Sequence, residues 1–393
     1  MGGGLMQLVA YGAQDIYLTG NPQITFFKVV YRRHTNFAME AIPQSFSGEV
    51  NYGKKVSCTI PRNGDLVGRC YLRLKMAAFT GGVNGDVRRI IKNCELEIGG
   101  QRIDKQYYEW QAAWQSLTYS QAQKDAMSIV SVGTGTANDY YYLPLDFFFC
   151  RHAGLALPLI ALQYHEVKIT LELAAGVGNL SKNGALQTAV TDGDISSGEL
   201  LVDYFYLDTD ERRRFAQVSH EYLIEQVQHT GTVSLAVGTS TTKNVKLNFN
   251  HPVKELIWSI DAKTGTDLAY VNTAKLQLNG HDRFKELDGD YFMHVQRLQH
   301  HTGPVGSMSG ASAARARTCG VQTLGDTGYY CYSFAIRPEE HQPSGTCNFS
   351  RIDNATLQLT YTVAGAARNL WVFAHGYNVL RVMSGMGGLA YSN

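Results

Sequence analysis

Two glycine-rich segments carry residues at spacings that resemble catalytic loops. Residues 48–55 match the G-x4-G-K spacing of a phosphate-binding loop, but Lys55 stands where a serine or threonine must bind magnesium. Residues 56–60, which follow, predict a strand and not the helix that such a loop opens. Residues 306–310 have the outline of a nucleophile elbow, with Met308 at the position that must be serine. Neither segment predicts catalysis or nucleotide binding.

The histidines, carboxylates and cysteines show no spacing typical of a metal or catalytic site. His300 and His301 are adjacent, and neighbouring residues of a strand point to opposite faces, so such a pair seldom binds one metal. Glu339 and Glu340 lie in a proline-flanked segment, which predicts solvated side chains. The 7 cysteines include no CxxC pair, which predicts buried free thiols in a reducing compartment. We predict no enzymatic activity, no metal and no cofactor, although a cupin-like metal enzyme stays an alternative.

The charge balance disfavours binding to a polyanion. Lys and Arg total 35 and Asp and Glu total 34, which gives a net charge of +1. The short basic runs at 32–34, 88–89 and 212–214 predict solvated faces or contacts with partners. We therefore expect no direct sequence-specific binding of nucleic acid. With no signal peptide and no apolar run of about 18 residues, we expect a soluble, cytoplasmic chain.

Three N-x-S/T sequences make Asn179, Asn348 and Asn354 candidate N-glycan acceptors. Such acceptors matter only in a chain that meets the secretory machinery, so chance matches are the favoured interpretation. Asn179 also lies in a Gly- and Asn-rich segment, 176–198, that predicts a loop.

Short β-type segments bounded by Gly, Pro and Asn recur along the whole chain. Residues 167–173 alternate strictly, with apolar residues on one face and polar residues on the other, as a half-buried strand requires. Many short strands between turn signals favour sandwiches or barrels. The predicted strands include 25–31, 55–60, 66–75, 94–98, 143–149, 167–173, 200–207, 222–229, 244–249, 256–260, 275–278, 329–336, 355–363 and 370–374.

Two segments predict helices. In residues 103–117, Tyr107, Trp110, Trp114 and Leu117 fall at helical spacing, although the same aromatics could belong to a loop that packs on a sheet. Residues 208–218 are strongly charged and lie between two strand segments. This second segment predicts a connector between two domains.

The order of features repeats along the chain. Residues 95–100 return as 275–280, so that Leu96 and Leu276 are 180 residues apart. Phe147 and Phe334 are 187 apart, and Leu171 and Leu359 are 188 apart. Two all-β units of roughly 190 residues suit jelly rolls better than immunoglobulin domains of about 100 residues. We predict an all-β fold of two tandem eight-stranded jelly rolls with minor helical insertions.

The predicted division has an N-terminal arm at 1–24, a first jelly roll at 25–207, a connector at 208–219 and a second jelly roll at 220–393. The Gly- and Gln-rich arm lacks clear alternation, which is typical of a segment that orders only against neighbours. Jelly rolls occur in viral capsids, lectins and cupins, so the fold alone does not choose a function.

Several long segments carry a family resemblance. Together with residues 8–15 and 17–27, the segments 154–167, 220–226, 247–252, 342–357 and 377–393 resemble the major capsid proteins of nucleocytoplasmic large DNA viruses, and the chlorovirus branch in particular. The resemblance covers nearly the whole chain. The segments 111–140, 181–198 and 261–273 depart from the family pattern, which puts surface properties in doubt but not the fold.

The resemblance implies a shell protein that works by assembly. Three chains would form a homotrimer, a pseudo-hexagonal capsomer of six barrels that tiles an icosahedral shell. Its expected partners are neighbouring capsomers and, on the inner face, minor capsid proteins and an internal membrane. The expected location is the virion shell, after assembly in the host cytoplasm. The alternatives are a minor capsid paralogue and a carbohydrate-binding or host-attachment double jelly roll.

Overall fold

The computed structural model describes residues 6–7, 9–10, 12–27, 29, 31–76, 85–133, 139–175, 195–260, 269–303 and 328–391. The chain divides into two compact units, 1–36 and 37–393. In the first unit, helix α1 (Ile16–Thr19) follows a turn in which the Gly12 amide donates to Asp15 Oδ2 at 2.8 Å. The predicted strand at 25–31 is wrong, because its described residues form turns and irregular chain and pair with no described strand. A strand needs a neighbour to satisfy its backbone, and this segment has none.

The first half of the second unit is a barrel of two packed sheets. Its sheet orders are β1-β11-β3-β8, with β9 beside β3, and β2-β10-β5-β6. These antiparallel orders are those of a jelly roll. The strands are β1 (Phe37–Ser45), β2 (Lys55–Ile60), β3 (Leu66–Met76), β4 (Gly85–Asp86), β5 (Ile91–Ile98), β6 (Gln101–Tyr107), β7 (Val132–Gly133), β8 (Asp139–Pro144), β9 (Leu157–Pro158), β10 (Val167–Leu173) and β11 (Ile195–Leu207).

The second half repeats the same arrangement. Its sheet orders are β12-β22-β15-β19, with β13, β20 and β23 at the sides, and β14-β21-β16-β17, with β18 beside β16. The strands are β12 (His220–His229), β13 (Val233–Leu235), β14 (Gly238–Lys246), β15 (Pro252–Ile260), β16 (Ala269–Leu278), β17 (His281–Asp282), β18 (Leu287–Asp288), β19 (Tyr329–Ser333), β20 (Cys347–Asn348), β21 (Ala355–Val363), β22 (Arg368–Met383) and β23 (Met386–Leu389). The predicted double jelly roll is confirmed.

Helices lie in the connections between strands. They are α2 (Tyr108–Thr118), α3 (Gln121–Ser131), α4 (Phe148–Arg151), α5 (Thr209–Gln217) and α6 (Gln296–His300), which continues from a π-helical turn at Tyr291–Val295. Short 3-10 turns occupy Val87–Ile90, Ala153–Leu155 and Phe349–Arg351. The charged segment predicted as a connector forms α5, capped by Asp208, whose side chain accepts from the Thr209 amide at 2.7 Å. Among the described residues, no helix is long and apolar enough to span a membrane.

Each barrel has an apolar core, and the first core also includes Ile224, Leu380 and Val382 from strands of the second barrel. The alternation predicted at residues 167–173 matches β10, whose Val167, Ile169 and Leu171 are buried in the first core. The prediction of a strand through 143–149 is wrong at its end, because β8 stops at Pro144 and α4 begins at Phe148. The three phenylalanines at 147–149 all enter the first core.

Candidate functional site

A helix of the first barrel covers one sheet of the second barrel. Helix α2 follows β6, and its residues 110–117 are all buried. Trp110 and Trp114 of this helix form one apolar cluster with residues of β15, β19 and β22. The Trp110 ring lies 5.8 Å from the Phe373 ring, and the Trp114 ring lies 4.8 Å from the His375 ring. Because both tryptophans reach the sheet of the other barrel, α2 fixes the junction between the two.

A buried ionic cluster crosses the same junction. Glu225 of the second barrel accepts from Lys254 Nζ at 2.6 Å and from Nη1 of Arg151, which belongs to the first barrel, at 2.7 Å. The Lys254 side chain is fully buried. Burial alone would raise the pKa of Glu225, but Lys254, His375 and Arg151 outweigh it and hold this pKa well below its ordinary value. A buried carboxylate with these cationic partners stays ionised.

His375 lies at the centre of the cluster. Its Nδ1 lies 2.9 Å from Glu255 Oε1, and its Nε2 lies 3.1 Å from both Glu225 Oε2 and Arg151 Nη1. The imidazole, on β22, therefore bridges two carboxylates that stand on β12 and β15, the strands on either side of it. The Arg151 guanidinium also stacks 4.3 Å from the Trp114 ring, which joins the ionic cluster to the apolar cluster.

His301, which follows α6, extends the cluster. Its Nε2 lies 3.2 Å from Glu255 Oε2, in a geometry that does not form a hydrogen bond. Its Nδ1 lies 3.1 Å from Glu339 Oε1. Burial alone would lower the pKa of His301, but contacts with Cys331, Glu255 and Glu339 outweigh it and raise this pKa well above its ordinary value. Burial opposes ionisation of Glu255 too, yet its two histidine partners hold its pKa below the ordinary value. The His301–Glu255 contact is therefore an ion pair.

Buried amides and carboxyls complete the junction. Gln115 of α2 donates to Asp146 Oδ2 at 2.8 Å, and Gln106 donates to Asp104 Oδ2 at 2.8 Å. Asp104 Oδ1 in turn accepts from the Val227 amide of the second barrel at 3.1 Å. Burial raises the pKa of both Asp104 and Asp146. The hydrogen bonds satisfy these polar groups in a place that water does not reach.

The residues singled out in the sequence are scattered in the structure. Asn348 and Asn354 are both exposed, and the Asn348 side chain accepts from the Ser350 amide at 3.0 Å. Asn179 and Met308 lie outside the described residues. Strand β2 begins at Lys55, as expected for a segment that is not a phosphate-binding loop. Across the described ranges, no three His, Cys, Asp or Glu side chains are arranged to hold a metal ion.

One interpretation of the sequence is wrong, and one set of residues was missed. Glu339 was expected to be solvated, but its carboxylate is largely buried against His301 and Thr302. The charged pair Lys254 and Glu255 inside the apolar strand 252–260 was the available signal for the cluster. A charged residue on a buried strand costs free energy unless it is paired, so it indicates a partner.

Two family models match the chain, and between them they cover nearly all of it. The model for the major capsid protein N-terminus matches residues 25–208. The model for the large eukaryotic DNA virus major capsid protein matches residues 211–310 and 318–388.

Curated relatives and solved structures agree with these matches. The major capsid protein of Pyramimonas orientalis virus is 53% identical over 413 residues, and that of Paramecium bursaria Chlorella virus 1 is 43% identical over 465 residues; both alignments cover 100% of both chains. A chain of the PBCV-1 virus capsid is 38% identical with a TM-score of 0.77, covering 94% of this chain and 100% of that one. The Faustovirus major capsid protein shares the fold, with a TM-score of 0.72 at 11% identity, over 95% of this chain and 94% of that one.

Proposed function

We propose, from the premise that this chain belongs to the family of major capsid proteins of large eukaryotic DNA viruses, that three copies associate into a capsomer of six barrels. The chain is a structural protein of the virion shell, and the proposal concerns how its copies associate. These capsomers would tile an icosahedral shell.

One observation supports the proposed trimer. Within a chain, α2 of the first barrel covers the outer face of the β12-β22-β15-β19 sheet of the second barrel. On the corresponding β1-β11-β3-β8 sheet of the first barrel, Phe37 and Met39 at one edge are 54% and 61% exposed, and α3 contacts the strand at the other edge, β8. A head-to-tail contact that repeats closes a ring when its rotation allows. Two barrels per chain and three chains give six barrels.

The N-terminal arm and the segment directly after it supply a second surface for association. Tyr17, Phe26 and Phe27 are 89%, 92% and 97% exposed. Aromatic side chains that are bare to this extent favour burial against a partner. We assign the arm, residues 1–24, and the segment after it to the inner face, where minor capsid proteins and an internal membrane are the candidate partners. Neighbouring capsomers are the partners at the sides, and assembly takes place in the host cytoplasm.

Glycan attachment forms a separate and smaller part of the proposal. Asn348 and Asn354 are exposed, as an acceptor must be, and they stand with Asn179 as the candidate sites. Mass spectrometry of peptides from purified virions tests each asparagine, and unmodified peptides at all three positions remove this part. The glycan result does not test the proposed capsomer, because association of the barrels requires no glycan.

The capsomer is tested by light scattering and electron microscopy of the purified full-length chain. We expect the mass of three chains and particles of hexagonal outline. A stable monomer at micromolar concentration, with no such particles, would overturn the proposal. A trimer that binds a glycan array would instead favour an attachment protein.

A further inference from the structure

The two barrels present matching positions on their outer sheets. In the second barrel, Ile257 on β15 pairs with Phe373 on β22 and with Cys331 on β19, and all three belong to the cluster under α2. In the first barrel, Arg73 on β3 pairs with Glu199 on β11 and Tyr142 on β8. In each sheet, the central residue, Ile257 or Arg73, is flanked by one residue from each of the two neighbouring strands. Since the strand orders correspond as well, Arg73, Glu199 and Tyr142, here called the Arg73 group, lie on the sheet that corresponds to the one that α2 covers in the second barrel.

The side chains of the Arg73 group contact one another and stay partly exposed to solvent. Arg73 Nη1 donates to Glu199 Oε1 at 2.6 Å, and the guanidinium lies 4.3 Å from the centre of the Tyr140 ring and 5.9 Å from that of Tyr142. The side chains of Arg73 and Glu199 are 29% and 33% exposed, and Tyr140 is 44% exposed. A salt bridge stacked on two tyrosine rings is a flat surface with an apolar and a polar part. Such composition is common at the centre of protein interfaces.

The same face continues to the edge of the sheet. Glu199, Asp203 and Phe205 alternate along β11 and share one side of it. Phe205 pairs with Met39, and its ring lies 6.4 Å from the Phe37 ring. We call the whole surface the first outer face, and it consists of Phe37, Met39, Arg73, Tyr140, Tyr142 and Glu199.

The second barrel carries a helix at the place that α2 occupies in the first. Helix α2 lies between β6 and β8, and α6 lies between the corresponding strands β17 and β19. One side of α6 is fixed, because Arg297 is buried and donates to the Ser116 carbonyl of α2. The other side is bare, with Leu298 74% exposed.

Two further apolar residues lie on or next to α6 and are partly or largely exposed. Val295, one helical turn before it, is 39% exposed. Ile336 is 70% exposed, and its carbonyl lies 3.0 Å from His300 Nδ1 at the end of α6. We call Val295, Leu298 and Ile336 the Leu298 ridge. Exposed aliphatic side chains such as these favour burial against a partner.

We infer that the Leu298 ridge of one copy covers the first outer face of a second copy. This inference rests on the proposed trimer and names the surfaces that form it. A second copy is the occupant because the chain already contains this junction once, between α2 and the second barrel. Repeating the junction between chains gives every barrel one covering helix and one covered sheet.

The test uses a charge on the ridge and a matched charge elsewhere. Leu298→Arg places a cation against Arg73 and should convert the trimer to monomer in light scattering. Val237→Arg, at an apolar residue that is 55% exposed and outside both surfaces, should leave the trimer intact. Both positions are exposed, so neither substitution should unfold the chain. The dissociated Leu298→Arg chain should therefore still show the cooperative thermal unfolding of a folded protein.

Footprinting of the unmodified chain gives a second measurement that requires no variant. In the trimer, hydroxyl radicals should oxidise Tyr140 several-fold less than Tyr164, which is 75% exposed. A Leu298→Arg chain that stays a trimer, or an unmodified trimer in which Tyr140 is oxidised as fast as Tyr164, would overturn the assignment and leave the trimer standing. A monomeric unmodified chain would remove the trimer itself.

Discussion

His301 and Glu255 form a buried ion pair at the junction of the two barrels, with His301 Nε2 3.2 Å from Glu255 Oε2 and both side chains inaccessible to solvent. The two residues belong to different segments, since Glu255 lies on β15 and His301 follows α6. Their pairing ties the covering segment to the sheet. The same carboxylate also contacts His375, so the junction holds a connected network in place of isolated pairs.

The stability of the folded chain should decrease at alkaline pH through His301. Its pKa is raised in the folded state, so the protonated ring contributes stability that is fully present below the ordinary histidine pKa of about 6.5. That contribution is lost as pH rises through the raised pKa. Thermal midpoints from about pH 6 to 10 should fall for the unmodified chain and fall less for His301→Gln. The control is His281→Gln, at an exposed position of β17, and equal slopes in all three chains would contradict the ion pair.

Lys254→Met should strongly destabilise the chain. It removes a fully buried cation from Glu225 and leaves a buried carboxylate short of a partner, which costs about 3–5 kcal/mol. Lys275→Met is the matched control, because the Lys275–Asp282 pair is partly exposed and solvent screens it, so its loss should cost much less. Denaturant titration of both variants measures the difference. Equal losses of unfolding free energy in the two variants would show that the Lys254–Glu225 contact behaves like a surface ion pair.

Gly303→Ala should loosen the contact between α2 and the segment after α6. A Cβ at position 303 would lie 2.3 Å from the Leu117 carbonyl oxygen, where the Gly303 amide now donates at 2.7 Å. The backbone must shift, at a cost of about 1–3 kcal/mol in the free energy of unfolding. Gly328→Ala is the control, since its nearest neighbour is the flexible Met293 Cε at 3.3 Å. Similar unfolding curves for the two variants would contradict the tight approach.

Three cysteines of the first core should resist thiol reagents in the folded chain. Cys58, Cys70 and Cys94 are buried, and burial raises the pKa of Cys58 to about 11. The thiolate is the reactive form, so little of it exists at neutral pH. Mass spectrometry after brief alkylation should find Cys150 and Cys347, which are less buried, modified before these three. Early modification of Cys58 or Cys94 would contradict the packed core.

The sequence predicted the double jelly roll because strands and their spacing are local features. The 180-residue offset between Leu96 and Leu276 places them on β5 and β16, which occupy the same position in the two barrels. Helix α2 was predicted from the spacing of its aromatic residues. The first residues of the predicted segment, 103–107, belong instead to β6, because sheet pairing overrides helical spacing there.

The junction could not be predicted in the same way. Glu225, Glu255 and His375 come from three strands far apart in sequence, and only the fold brings their side chains together. The adjacent tyrosines 140, 141 and 142 are a second example of an arrangement that the sequence alone could not predict. Tyr141 enters the core, whereas Tyr140 stays exposed beside Arg73, and that division depends on which face of β8 is inward.

The copy number of this chain in purified virions tests the central claim most directly. A shell built from trimers of this chain requires that it dominate the protein mass and occur in a multiple of three. Quantitative mass spectrometry against labelled peptides of the chain measures that number. We predict that the chain is the most abundant virion protein, and a count far below that of another shell protein would contradict the account.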